Sequence, residues 1–260
     1  ATRPMGVVHK ADRNRRTWAE ARAERQARLG VQDQPHTLII GGGQGGIALA
    51  ARLKSLGVPA LVVERNARAG DSWRHRYRSL VLHDPVWYDH LPYLPFPPNW
   101  PVFTPKDQMG DWLESYVRAL DLDIWQSTSA DSASWNGDHW TVQVTREGRP
   151  VTLIPRHLVF ATGAYGPPKI IDWPGQEEFR GTLIHSSAYR DGRDHAGLRC
   201  VVIGAGSSAH DIATDLWEAG ARVTMVQRSP TTVVRSETLM RLAFADHSHQ
   251  FFDGTVTTEM

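Results

Sequence analysis

Two stretches of the chain carry glycines at a spacing suited to phosphate chemistry. The first, His36 to Asn66, reads HTLIIGGGQGGIALAARLKSLGVPALVVERN. Gly41, Gly43 and Gly46 fall in the G-x-G-x-x-G spacing, with Gln44 inside it, and Glu64 and Arg65 follow 23 and 24 residues after Gly41. Gly41 allows a tight turn, Gly43 lets backbone approach a pyrophosphate, and Gly46 lets a helix meet a strand closely. The helix start adds free N–H groups and a positive dipole end. A carboxylate at Glu64 accepts hydrogen bonds from a ribose diol and repels a 2′-phosphate. The second stretch, Leu198 to Arg228, repeats the design. Gly204, Gly206 and Ala209 make the turn, with Ser207 and Ser208 inside it, and the strand ends in Gln227-Arg228 with no acid. Arg228 lies 24 residues after Gly204, where a guanidinium pairs with a 2′-phosphate. The first turn therefore suits a plain ribose, as in FAD or NAD, and the second prefers NADPH.

The elements that must position these residues are legible around them. Thr37–Ile40 reads as a short buried strand, Ile47 to Leu56 continues at helical period, and Leu61–Val63 is a second strand. Cys200–Ile203, Ile212–Ala219 and Val223–Val226 repeat that order. Between the two units, residues 70–85 are too polar for a simple core helix, and residues 89–107 carry six prolines among aromatics. Such a loop is neither helix nor central strand and is usually functional. Residues 106–120 predict an amphipathic helix with Met109, Trp112, Leu113, Tyr116 and Leu120 on one face. From Ile124 the period changes to two, predicting an antiparallel meander that returns into a buried strand, Leu158–Phe160. That strand ends at Ala161-Thr162-Gly163, small residues that permit close approach. Residues 11–29 predict a solvated helical arm resting on the domain by Trp18.

Composition bounds the function. Lys plus Arg is 29 against Asp plus Glu at 28, so no global field favours nucleic acid or acidic membrane. Arg13, Arg15 and Arg16 of the arm are offset by Glu20 and Glu24. No apolar run approaches the ~20 residues of a membrane span, and no signal peptide opens the chain. The expectation is a cytoplasmic protein with neither a nucleic-acid nor a membrane partner. One cysteine, Cys200, allows no disulfide framework and no redox-active pair. Ser208, His210 and Asp211 cannot converge as a hydrolytic triad, because neighbours on one helix point to different faces. His247 and His249 lack two further ligands for a metal.

Taken together, the residues resemble the flavin-containing monooxygenase family. The resemblance rests on GGGQGG at 41–46, GDSW at 70–73, FATG at 160–163 and GAGSSA at 204–209. FRGTLIHSSAY at 179–189 fits the family's F-x-G-x-x-x-H-x-x-x-(F/Y) signature, with Tyr189 where the related Baeyer–Villiger enzymes place Trp. The stretch around YRSLVLHDP and LPYLPFPPNWPVFTPKD is similar to the plant YUCCA-like branch and to fungal and bacterial members. The fold implied is α/β, with two Rossmann-like dinucleotide-binding domains, the first carrying the meander. The boundaries expected are an arm at 1–33, an FAD domain at 34–166, a signature linker at 167–197 and an NADPH domain at 198–260.

The reaction implied is NADPH reduction of FAD, addition of O₂ at flavin C4a, and passage of one oxygen from the hydroperoxyflavin to a small organic substrate at nitrogen or sulfur. Oxidative decarboxylation of a 2-oxo acid, Baeyer–Villiger oxidation and an inactive nucleotide-binding remnant are the alternatives. Carried over by position, Gly41, Gly43, Gln44, Gly46, Glu64, Arg65, Trp73 and Gly163 would contact FAD. Gly204, Gly206, Ser207, Ser208 and Arg228 would contact NADPH. His83 falls near the reactive flavin edge, where many members have Asn, and His185 organises the linker; Ser207 also stands where Asn is common. A neutral imidazole at His83 still has one N–H to donate. A homodimer is left open. The 32 residues after Arg228, 229–260, are too few to complete both domains, so a fragment is expected.

Overall fold

A computed structural model describes residues 16–163 and 168–242. By contacts these form two units, residues 16–69 with 117–163, and residues 70–116 with 168–242. Residues 11–15 of the expected arm, and His247 and His249, lie outside the described residues.

The first unit opens with helix α1 (Trp18–Arg28), started by a capping box in which Thr17 and Glu20 satisfy each other's backbone N–H groups. It does not rest by Trp18, which is 62% exposed with the Arg22 guanidinium over its ring. Charge holds it instead: Arg22 and Arg25 reach Asp121 at 3.1 and 2.8 Å, and Arg25 also reaches Asp123 at 3.0 Å. The physical reason is that α1 buries none of its residues, so it has no apolar face to dock.

Strand β1 (Thr37–Ile40), helix α2 (Gln44–Ser55) and strand β2 (Ala60–Val63) follow as expected. The two strands pair in parallel with β3 (Ile124–Trp125) and β7 (His157–Phe160), in the order β3-β2-β1-β7. The meander is β4 (Thr128–Trp135), β5 (Trp140–Arg146) and β6 (Arg149–Leu153), antiparallel throughout. Leu38, Leu61 and Val63 from the sheet share one core with Trp125, Val142, Val144 and Leu153. Continuous apolar runs in β1 and β2 are what central parallel strands require. The expectation of a buried final strand is corrected: β7 forms but lies at the sheet edge, and Phe160 is 67% exposed.

In the second unit the GDSW stretch forms a single turn, α3 (Asp71–Arg74), followed by α4 (Lys106–Ala119), whose last residues belong to the first unit. Gly70 has φ +87°, and a Cβ on it would stand 2.2 Å from the Gly110 carbonyl oxygen, so only glycine fits. Arg74 fixes the contact by reaching Asp71, Asp111 and Glu114 at 3.0, 2.8 and 3.0 Å. The proline-rich loop is ordered by Phe96, which stacks on Trp100 and meets Trp112 at a tilt, and by the Tyr116 hydroxyl donating to Pro92 O at 2.7 Å. Strand β8 (Arg199–Ile203), helix α5 (Ser207–Glu218) and strand β9 (Arg222–Val226) form the second β-α-β unit, its strands parallel. Helix α6 (Ser236–Leu242) ends the described chain. Tyr77, Leu80, Tyr189, Ile212, Leu216 and Ala221 make its core, with Trp73, Cys200, Val202 and Val223 packed against them.

Candidate functional site

The first glycine turn is shaped by three separate constraints. Gly41 takes φ +110°, and a Cβ there would stand 2.4 Å from Ala161 O. A Cβ on Gly46 would stand 1.9 Å from Gly41 O, so the third glycine lets α2 begin directly on the turn. A Cβ on Gly43 would meet nothing within 4 Å. That open face, beside a helix capped by glycine with no side-chain bond, is the space a pyrophosphate would need. Gln44 is exposed at the first position of α2, and Gly163, with φ +95°, lies just past β7 with open space around it.

Glu64 is buried and is held by the protein itself. Its Oε2 accepts from Gly42 N at 2.7 Å, and its Oε1 accepts from Asn66 N and Nδ2 at 2.8 and 2.7 Å. A carboxylate offers about four lone-pair sites, so these three bonds leave room for one hydroxyl. Glu64 thus braces the glycine turn and has one acceptor position that these bonds do not use. Arg65 beside it is exposed.

The second turn copies the first. Gly41 N donates to Val63 O at 2.9 Å, and Gly204 N donates to Val226 O at 2.8 Å. Gly204 has φ +131°, Gly206 faces open space and caps α5 without a side-chain bond, and Ser207 and Ser208 are the first helical residues. In this register Gln227 takes the position in the second turn that Glu64 takes in the first, and Arg228 that of Arg65. The electrostatic difference between the turns is therefore carboxylate against neutral amide, with an exposed arginine next in both.

Trp73 packs against the core of Tyr77, Leu80, Tyr189, Ile212, Leu216 and Ala221. His185 caps its own short turn, its Nδ1 accepting from Ser187 N at 3.1 Å. Tyr189, the last signature residue, donates to Asp215 Oδ2 at 2.5 Å, and Gly192 N donates to the same oxygen at 2.8 Å. Burial and the Asp215 carboxylate raise the Tyr189 hydroxyl well above the usual range.

His83 meets a residue that sequence reasoning set aside. Its Nε2 lies 2.8 Å from Asp211 Oδ2, and the Tyr77 hydroxyl donates to that oxygen at 2.6 Å. The hydrogen bond to Asp211 raises the imidazole above its ordinary value, against burial, while the Asp211 and Asp84 charges help. Burial pushes the Asp211 carboxyl up, but the bonds from His83 and Tyr77 outweigh it and hold it low. Read only against its neighbours Ser208 and His210, Asp211 shows no role. Its spacing from Asp215 was the available signal, since residues four apart share a helix face, and both carboxylates receive a tyrosine hydroxyl.

Two β-α-β units with glycine turns in one register define a chain with two dinucleotide-binding folds. The model of the pyridine nucleotide-disulphide oxidoreductase family matches residues 38–250, and the chain belongs to that family. It is 36% identical over 204 residues to indole-3-pyruvate monooxygenase YUCCA1 of Oryza sativa subsp. japonica, covering 78% of this chain and 50% of that protein. A variant of the flavin monooxygenase from Stenotrophomonas maltophilia superposes with a TM-score of 0.73 at 25% identity, covering 83% of this chain and 65% of that one. The bacillithiol disulfide reductase of Bacillus cereus shares the fold, with a TM-score of 0.70 at 23% identity over 81% of this chain and 65% of that one. The chain spans about half the length of the curated relatives it matches. These likenesses agree with the expected flavin monooxygenase resemblance. Cys200 is the one cysteine of the sequence and is half-buried beside the core of the second unit. Among the described residues no helix is long and apolar enough to cross a membrane.

Proposed function

We propose that the first turn holds FAD, that the second holds NADPH, and that together they serve a monooxygenase. The carrying observation is the pair of turns closed by matching backbone bonds, open at Gly43 and Gly206, that differ in charge at the strand end. Bound flavin would supply the chemistry, taking a hydride equivalent from NADPH and activating O₂. The balance is one substrate, one O₂, one NADPH and one proton giving oxygenated product, water and NADP⁺. The chain's own residues bind and orient. Glu64 braces the flavin turn and accepts one ribose hydroxyl, while Gly43 admits the pyrophosphate. Ser207 and Ser208 present helix N–H groups to the second pyrophosphate, and Arg228, with no acid at Gln227, accommodates the 2′-phosphate. Gln44, Arg65, Trp73 and Gly163 complete the expected flavin contacts.

The substrate reading is oxygen transfer to a soft nitrogen or sulfur centre. A second reading, oxidative decarboxylation of a 2-oxo acid, is favoured by the 36% identity to an indole-3-pyruvate monooxygenase. Release of CO₂ from a 2-oxo acid against formation of an N- or S-oxide separates the two.

The test begins with the absorbance spectrum of the purified protein, which should show bound flavin that NADPH bleaches. A charge-assisted pair to phosphate is worth about 1.5–3 kcal/mol, so NADPH should be preferred over NADH roughly ten- to a hundredfold. Arg228→Ala should remove most of that preference. Equal apparent affinity for both nucleotides in the unmutated protein would sink the assignment of the second turn.

A further inference from the structure

His83 is held by one nitrogen only. Nε2 faces Asp211, while Nδ1 has no protein partner among the described residues, and nearly half of the side chain is exposed. An acceptor at 2.8 Å requires Nε2 to carry the hydrogen, since a deprotonated nitrogen there would face a carboxylate lone pair. The one N–H of a neutral ring is thus already committed to Asp211. Tyr77 fixes the carboxylate from a second direction, and its ring is buried beside Tyr189, 6.2 Å away between centroids. We propose that Asp211 is a positioning residue that locks His83 with Nε2–H inward, so that Nδ1 can donate a hydrogen bond outward only as the imidazolium. On this reading the one N–H that a neutral His83 has to donate is spent on Asp211.

The groups facing this cluster come from several elements. On the His83 segment they are Asp84, whose charge favours imidazolium, and Arg76, which opposes it. On α5 they are His210, whose charge favours the Asp211 anion, and Ser208, which reaches the Tyr77 hydroxyl. The imidazole sits above its ordinary 6.5 through the Asp211 bond. The outward donor is therefore present at low pH and is lost as pH rises through that raised value.

The consequence for reactivity rests on the monooxygenase reading, whereas the geometry can be tested without it. Ring-proton and ¹⁵N NMR titration of His83 in this chain should give a midpoint above 6.5, with hydrogen on Nε2 at high pH. Asp211→Asn should return the midpoint toward 6.5. Tyr77→Phe keeps the buried ring, deprives Asp211 of one donor and should move the midpoint further up. Opposite shifts are the expected result. Unchanged midpoints, or shifts of the same sign, in variants with native far-UV circular dichroism would overturn the proposal. Should Asp211→Asn fail to fold, the direction seen in Tyr77→Phe decides alone. In the full-length enzyme, the fraction of NADPH oxidised to product rather than to peroxide should fall as pH rises, and His83→Asn should flatten that dependence. A pH-independent fraction in the unmutated enzyme overturns the donor role. Absence of any NADPH oxidation strikes the monooxygenase reading and leaves the titration to judge Asp211.

Discussion

Gly43 and Gly46 sit three positions apart in one turn and are glycine for opposite reasons. A Cβ at position 46 collides with Gly41 O at 1.9 Å, whereas one at position 43 enters empty space. Gly46→Val should therefore break the turn and cost at least ~3 kcal/mol, about 6–12 °C of melting temperature in a chain of this size. Gly43→Val should lose only the better helix cap, about 1 kcal/mol, yet abolish flavin binding, because two methyls occupy the pyrophosphate's space. Bound flavin per chain, measured beside far-UV circular dichroism, separates the variants. Full flavin occupancy in Gly43→Val would show that this face of the turn is not the phosphate side. The glycine spacing made this much legible, since each position carries a steric requirement. The bracing of Glu64 by Gly42 and Asn66 was hidden, because sequence cannot show how many lone pairs a carboxylate has already used.

Among the elements, the parallel strands and their helices were legible because apolar runs and glycine turns leave local traces. Docking by charge leaves none. Arg25 meets Asp121 and Asp123 across 96 and 98 positions, and His83 meets Asp211 across 128. Helix α1 illustrates the difference, since its one large apolar residue, Trp18, pointed to an apolar contact while the attachment runs through arginines. Asp121 also receives Lys54, so three cations share one carboxylate. These side chains are part-exposed, and screening limits the clasp to about 1 kcal/mol. Arg25→Ala should then raise amide exchange in α1 about fivefold at low salt, with a smaller effect in 0.5 M salt. The exchange of β1 and β2 should not change. Equal α1 exchange in the variant and the unmutated protein would mean that the helix is held some other way.

For the molecule as a whole, pH stability offers a sharp test of the proline-rich loop. Asp89 has a buried Oδ2 with no hydrogen-bond partner, and burial together with the Asp84 charge pushes its carboxyl up to about 6. A raised value means the fold holds this proton more tightly than the unfolded chain does. Its stabilising contribution is complete below about 3.8 and is lost as pH rises through about 6. Asp89→Asn should flatten stability across that window and gain about 1 kcal/mol at pH 7 after solvent screening, or about 2–4 °C. Parallel melting curves between pH 4 and 8 for the two proteins would refute the buried-carboxyl reading. The matching bonds Gly41–Val63 and Gly204–Val226 reach further. On the proposed assignment both turns receive an adenine, a ribose and a pyrophosphate, and neither can refuse the other's ligand by shape. A chain that retains one such molecule while exchanging another must still avoid filling the retaining turn with the exchanging one. Within the adenosine half that both turns would receive, the two differ at the ribose 2′ position, and there the turns differ first by Glu64 against Gln227. In the adenosine half, then, misloading of the retaining turn is opposed by one functional group, the Glu64 carboxylate, where the exchanging turn carries the uncharged amide of Gln227.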